Sequence, residues 1–195
     1  MEKTSGITVK QKKLSKGCSI SDMNYSVIKK TDVANGNGVR VSLFVSGCTH
    51  HCKGCFNPET WDFDFGQLFD EAAERCIIDS LKPVYIKGLS ILGGEPMEPV
   101  NQKALLPFIR KVKNIYPEKS IWLYTGYTLE TDLLSESRAK CEFTDELLSY
   151  IDVLVDGEFI EEKKNLRLSF RGSENQRLID VKKTLSEGST VLFDM

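Results

Sequence analysis

Residues 39–57 read VRVSLFVSGCTHHCKGCFN, and the fold turns on how this stretch divides. Val39 to Ser46 is rich in β-branched and large apolar residues and reads as a buried strand. Gly47 breaks the run. Cys48, Cys52 and Cys55 follow at once in a C-x3-C-x2-C spacing, and the chain's two histidines, His50 and His51, fall between the first two cysteines. A strand that ends in a glycine and then in clustered thiols suggests a sheet whose edge carries a site.

Downstream, the pattern alternates between two periods. Leu68, Ala72, Cys76 and Ile77 recur at helical spacing and predict a helix over 67–81. GLSIL (88–92) reads as a short buried strand that ends in Gly93-Gly94-Glu95-Pro96. Ala104, Leu105, Phe108, Ile109, Val112 and Ile115 give a second helix, with Pro107 predicted to kink it or to mark a late start. IWLYT (121–125) is a strand, Glu130 to Leu134 opens a helix, and Thr144 caps a short helix through Tyr150. IDVLVD (151–156) is a strand closing on Gly157, and LRLSF (166–170) reads as a last one. Strands alternating with helices imply an α/β fold of parallel β/α units. In such units ligands bind where the strands end, at the carboxyl edge. The loops 47–57 and 93–98 both follow strands and are therefore predicted to share one face.

The 195 residues suit one domain with an appendage, long enough to bury about 70% of its unfolded surface. A formal net charge of -2 argues against a general nucleic-acid binder, which needs a basic face. Residues 1–22 hold five lysines against Glu2 and Asp22 and little apolar content, and read as a basic N-terminal extension, with Met23 a possible second start. The domain proper is read as 23–195. The chain has neither an apolar stretch of membrane-spanning length nor the apolar core of a secretory signal, so no membrane is expected and a reducing cytoplasm is the expected setting. In that setting clustered cysteines point to metal or catalysis rather than to disulfides.

Three thiolates on one loop can converge on a metal centre. A structural zinc site would need a fourth ligand, from His50 or His51 nearby or from Cys18, Cys76 or Cys141 at a distance. An iron–sulfur cluster held by only three cysteines keeps one iron open to a substrate. Cys18, Cys76 and Cys141 are read as spare thiols, Cys76 as a small hydrophobe on its helix. Trp61 and Trp122 read as core or interface, and Asn57-Pro58 as a turn leading the chain away.

These residues resemble a known family. C-x3-C-x2-C followed by Phe56 is similar to the signature of radical S-adenosylmethionine enzymes, and Gly93-Gly94-Glu95-Pro96 to their second motif. Met23 to Phe63, LGGEP (92–96), IWLYTGYTLE (121–130), IDVLVDGEF (151–159) and RGSENQR (171–177) together resemble the activases of anaerobic ribonucleoside-triphosphate reductase, from about Met23 to Val181. The resemblance implies an incomplete (β/α) barrel with outer helices, and a catalytic [4Fe-4S] cluster on Cys48, Cys52 and Cys55. Its open iron would be chelated by S-adenosylmethionine. It implies reductive cleavage to a 5'-deoxyadenosyl radical, which makes a glycyl radical on the large catalytic subunit of the reductase, with a flavodoxin- or ferredoxin-type protein as low-potential donor.

By the same resemblance Gly54, Cys55 and Phe56 line the adenine, and Gly93 and Gly94 admit the methionine end. Glu95 accepts from its ammonium, and Thr125-Gly126-Tyr127 meets the nucleoside. His50 and His51 are assigned to solvent or to a supporting role beside the ligands, and Arg171 to Arg177 to partner binding or capping. Two alternatives stand beside this reading. One is an activase of the pyruvate formate-lyase type, against which the small size counts. The other is a non-catalytic zinc module.

Overall fold

The computed structural model describes residues 23–194; the basic extension, Cys18 within it, and the last residue lie outside the described residues. β1 (Asn24–Asp32) and β2 (Val39–Val45) form a hairpin, followed by the two-residue β3 (Gln67–Leu68) and helix α1 (Glu71–Leu81). Then come β4 (Ile86–Gly93), α2 (Pro99–Ile115), β5 (Ser120–Tyr124), α3 (Thr144–Tyr150), β6 (Val153–Asp156), β7 (Arg177–Asp180) and α4 (Val181–Glu187). The sheet order is β3-β1-β2-β4-β5-β6-β7. The central strands β2, β4, β5 and β6 are parallel. Both flanks are antiparallel: β1 and β3 on one side, β7 on the other.

The mixed α/β architecture agrees with the sequence reading, while the uniformly parallel sheet is corrected at both edges. β1, unforeseen in the sequence, alternates only weakly because it is largely part-exposed, with a burial pattern unlike that of a core strand. The predicted strand at 166–170 is irregular. The free edge of β6 is taken by Arg177–Asp180 instead, and Leu166 is left 85% exposed. The helix expected over 67–81 starts only at Glu71. Asp70 caps it, accepting from Ala72 N (2.9 Å) and Ala73 N (3.0 Å), a contact worth about 1 kcal/mol. Residues 67 and 68 pair with β1 instead.

α2 begins at Pro99 and runs through Pro107, so no late start occurs. Both Pro107 and Lys103, whose carbonyl loses its partner, face solvent, where water can serve. The helix expected at 130–134 is a single wide turn, Leu129–Leu133. Thr144 is the first residue of α3 rather than its cap, and its hydroxyl is spent on Gln102 (2.8 Å).

The strand period of two sends side chains to two faces. Val41, Leu43, Val45, Leu89, Ile91, Ile121 and Leu123 join Ile77, Leu81, Leu105, Phe108 and Val112 of α1 and α2 in the main core. The opposite face carries Phe44, Leu92 and Tyr124, which line a cavity, and Trp122, Val153 and Val155, which pack with Phe170 and Phe193. Arg40, 1% exposed, ties β2 to β4 and β5 on that face. It donates to Ser90 Oγ (2.7 Å), Leu89 O (2.8 Å), Ser120 Oγ (2.9 Å) and Ser120 O (2.9 Å) and lies over Trp122.

At the other edge Arg177 binds Asp156 and Glu130 together (Nε to Asp156 Oδ1 3.0 Å, Nη2 to Glu130 Oε2 2.7 Å). Asp156 is 1% exposed, so Arg177→Ala leaves a buried carboxylate unpaired and is expected to cost about 3 kcal/mol in urea denaturation. The Arg177 guanidinium holds Glu130 down at about 2, from an ordinary 4.5. A depressed carboxylate contributes stability above its unfolded value and loses it as pH falls, so this part of the stability fades between pH 4.5 and about 2. Arg177→Ala should flatten that acid limb.

Candidate functional site

Four loops leave the carboxyl ends of β2, β4, β5 and β6; main-chain bonds join them in pairs, and the Glu95 side chain joins the two pairs. Gly94 N donates to Val45 O (2.7 Å), Glu95 N to Gly47 O (2.8 Å), Thr125 N to Val155 O (2.9 Å) and Gly157 N to Tyr127 O (3.1 Å). The expected sharing of one face by loops 47–57 and 93–98 is therefore a set of hydrogen bonds. A Cβ on Gly94 would stand 2.7 Å from Gly47 O and 2.9 Å from Thr60 O, both backbone atoms, so the approach requires glycine. Asn57-Pro58 does not lead the chain away. A 3-10 turn (Pro58–Trp61) brings it back beneath the cysteine loop, where Gly47 N meets Thr60 O (2.8 Å) and Cys48 N meets Trp61 O (3.1 Å).

Cys48, Cys52 and Cys55 face one cavity of about 500 Å³, which Phe56, Gly93, Gly94, Glu95, Thr125 and Gly126 also line. Cys55 Sγ accepts from Asn57 N at 3.4 Å, while the main-chain N–H groups of His50 and His51 near Cys48, and of Phe159 near Cys52, favour the thiolate electrostatically. Burial pushes the Cys48 thiol up to about 11, opposed by those two N–H groups and reinforced by Glu95 and Glu98. Burial, with Glu158 beside it, pushes Cys52 up to about 12. Both are neutral thiols until a metal displaces their protons. Cys76 lies on α1, and Cys141 contacts Gln102 (3.4 Å); neither lines the cavity.

Glu95 is 1% exposed, and its carboxylate is occupied within the protein. Oε1 accepts from Met97 N (2.8 Å), and Oε2 from Gly126 N (2.7 Å) with His50 Nε2 3.2 Å away. His50, whose side chain is 8% exposed, is thus a buried partner of Glu95, and its ring lies 4.4 Å from that of Tyr127. Burial opposes charging His50, yet Glu95 outweighs it and raises its pKa. His51 is exposed against Trp61. Gly54 sits at φ +72, the left-handed region. Phe56 is 58% exposed and packs on Phe159 (5.1 Å), with the Lys164 ammonium over its ring.

Trp122 is core, as expected, and Trp61 lines the cavity. The segment 171–177 braces the loop after β6: Gln176 Nε2 donates to Gly157 O (3.0 Å) and Asn175 Nδ2 to Glu158 O (2.8 Å). Glu98, Tyr124, Glu158 and Phe159 were not singled out in the sequence. Only Glu98 carried a local signal, as a second acid one turn beyond Glu95.

A family model described as "4Fe-4S single cluster domain" matches residues 34–179. The chain is 49% identical over 156 residues to the anaerobic ribonucleoside-triphosphate reductase-activating protein of Haemophilus influenzae, covering 79% of this chain and 96% of the relative. Proteins of the same name from Vibrio cholerae (48%) and Pasteurella multocida (46%) align over 79% of this chain and 96% and 95% of their own lengths. This chain belongs to that activating-protein family.

The donor set fits the family's 4Fe-4S group: three thiols line one cavity, and nearby main-chain N–H groups favour their thiolates. The match to a 4Fe-4S family model and to activating proteins, rather than to zinc modules, disfavours the zinc alternative. The family's use of S-adenosylmethionine suits the glycine wall opposite. Gly94→Ala should drive the two loops apart by the clash described, an overpacking cost of about 1–3 kcal/mol. The expected readouts are a lower thermal midpoint and reduced iron uptake.

Proposed function

We propose that this chain activates anaerobic ribonucleoside-triphosphate reductase, cleaving S-adenosylmethionine reductively at a [4Fe-4S] cluster to a 5'-deoxyadenosyl radical that makes a glycyl radical on the large subunit. The observation that carries this is the juxtaposition of three cysteine side chains with the Gly93-Gly94 backbone around one cavity. Cys48, Cys52 and Cys55 hold the cluster, which supplies one electron to the bound sulfonium. Gly93 and Gly94 admit the methionine end, since neither carries a Cβ. The ammonium is met by backbone acceptors of this turn as well as by Glu95, because the Glu95 carboxylate already serves Met97, Gly126 and His50. Phe56, beside Cys55 on the cavity lining, offers an aromatic face to the adenine; Gly54 lies outside that lining, against Glu161.

We read the sheet as an incomplete (β/α) barrel formed by residues 23–195, with 1–22 an extension outside it. The relatives' names favour the reductase over pyruvate formate-lyase as partner. A flavodoxin- or ferredoxin-type protein in a reducing cytoplasm suits the donor role. No helix among the described residues is long and apolar enough to cross a membrane.

Anaerobically reconstituted protein should bind about four irons per chain and, once reduced, release 5'-deoxyadenosine from S-adenosylmethionine. It should raise a glycyl radical signal on the reductase in electron paramagnetic resonance. Cys48→Ala should abolish both reactions. Zinc without an iron chromophore, or no radical on the reductase, would sink the reading.

A further inference from the structure

Glu98 precedes α2 and is 7% exposed, a buried carboxylate that the reaction above does not use. Its partners are neutral donors, all on one oxygen. Oε1 accepts from Thr49 N (3.1 Å), Thr49 Oγ1 (2.5 Å) and Tyr127 OH (3.3 Å). Glu95 repeats the arrangement one residue along, reaching His50 and Gly126. Consecutive residues of the cysteine loop thus meet two carboxylates of one turn: Thr49 is hydrogen-bonded to Glu98, and His50 Nε2 lies 3.2 Å from Glu95 Oε2. Those carboxylates also hold consecutive residues after β5, 127 and 126. The rings of His50 and Tyr127, tilted at 59° with centroids 4.4 Å apart, close the figure.

The arm between Cys48 and Cys52 belongs to no strand or helix, and an untethered loop loses conformational freedom when it takes up a ligand. Residues that orient metal ligands through hydrogen bonds commonly matter to retention almost as much as the ligands do. We propose that Glu98 is a positioning residue for the cluster: by gripping Thr49 it presets the Cys48–Cys52 arm, while Tyr127 fixes the carboxylate from the β5 side. The inference rests on the 4Fe-4S reading of the same site. It assigns Glu98 no contact with the cluster or with S-adenosylmethionine.

The test compares wild type, Glu98→Ala, Glu98→Gln, Thr49→Val and Tyr127→Phe as full-length, anaerobically reconstituted proteins. Iron release to a ferrous chelator is read beside thermal midpoints and amide hydrogen exchange of residues 48–52 in the apoprotein. Glu98→Ala and Thr49→Val should each release iron about tenfold faster. A Glu98→Ala/Thr49→Val double variant, added to the set, should be no faster than Glu98→Ala, since the Thr49 Oγ1 bond is among those that Glu98→Ala already removes. Glu98→Gln, which keeps an Oε1 acceptor, should recover most of the retention, and exchange over 48–52 should rise in Glu98→Ala. If Glu98→Ala does not fold, Thr49→Val and Tyr127→Phe carry the comparison. Wild-type release rates in the folded variants, or a Glu98→Gln as leaky as Glu98→Ala, would overturn the proposal alone. A wild type that takes up no iron–sulfur chromophore would overturn the activase reading and this proposal together.

Discussion

The loops after β2 and β4 touch through their backbones, Gly94 N on Val45 O and Glu95 N on Gly47 O, at a separation that leaves no room for a Cβ on Gly94. The rest of the site depends on that contact. It sets the cysteine loop against the glycine turn across the cavity. It also brings Glu95 to His50 and Gly126, so that the β5 loop joins the same assembly. Thr60 and Trp61 close the underside by accepting the Gly47 and Cys48 amides. A side chain at this one position would separate elements far apart in sequence.

Electrostatics and packing pull in opposite directions at the sulfurs. Burial and the nearby carboxylates keep Cys48 and Cys52 protonated, while backbone N–H groups aim at the same sulfurs and favour thiolate. Cluster uptake therefore couples to proton release, and the N–H donors offset part of the cost of holding charged sulfur away from water. Buried acids beside the site are tolerable because each accepts several hydrogen bonds.

The sheet distributes its duties by face and by edge. One face packs α1 and α2 on an apolar core, and the other holds the cavity above the Arg40 hydrogen bonds. Antiparallel strands finish both sides, and Arg177 locks β7 to β6 and to the turn after β5 through Asp156 and Glu130.

The parallel core was legible because buried strands and amphipathic helices impose their periods on residue type: 39–46, 88–92, 121–125 and the helix through Val112 all lie close to observed elements. The edges were not. β1 is half exposed, and β7 was passed over for the more apolar 166–170, since edge pairing is decided by which strand reaches the free ladder. The shared cavity of the three clustered cysteines and the glycine turn could be read because residue type and spacing mark both. What only the tertiary structure decided is who meets whom: His50 with Glu95, Thr49 with Glu98, Phe159 with Cys52. Such contacts join residues some 45 to over 100 positions apart, and local sequence carries no record of a distance set by strand order and by a missing Cβ.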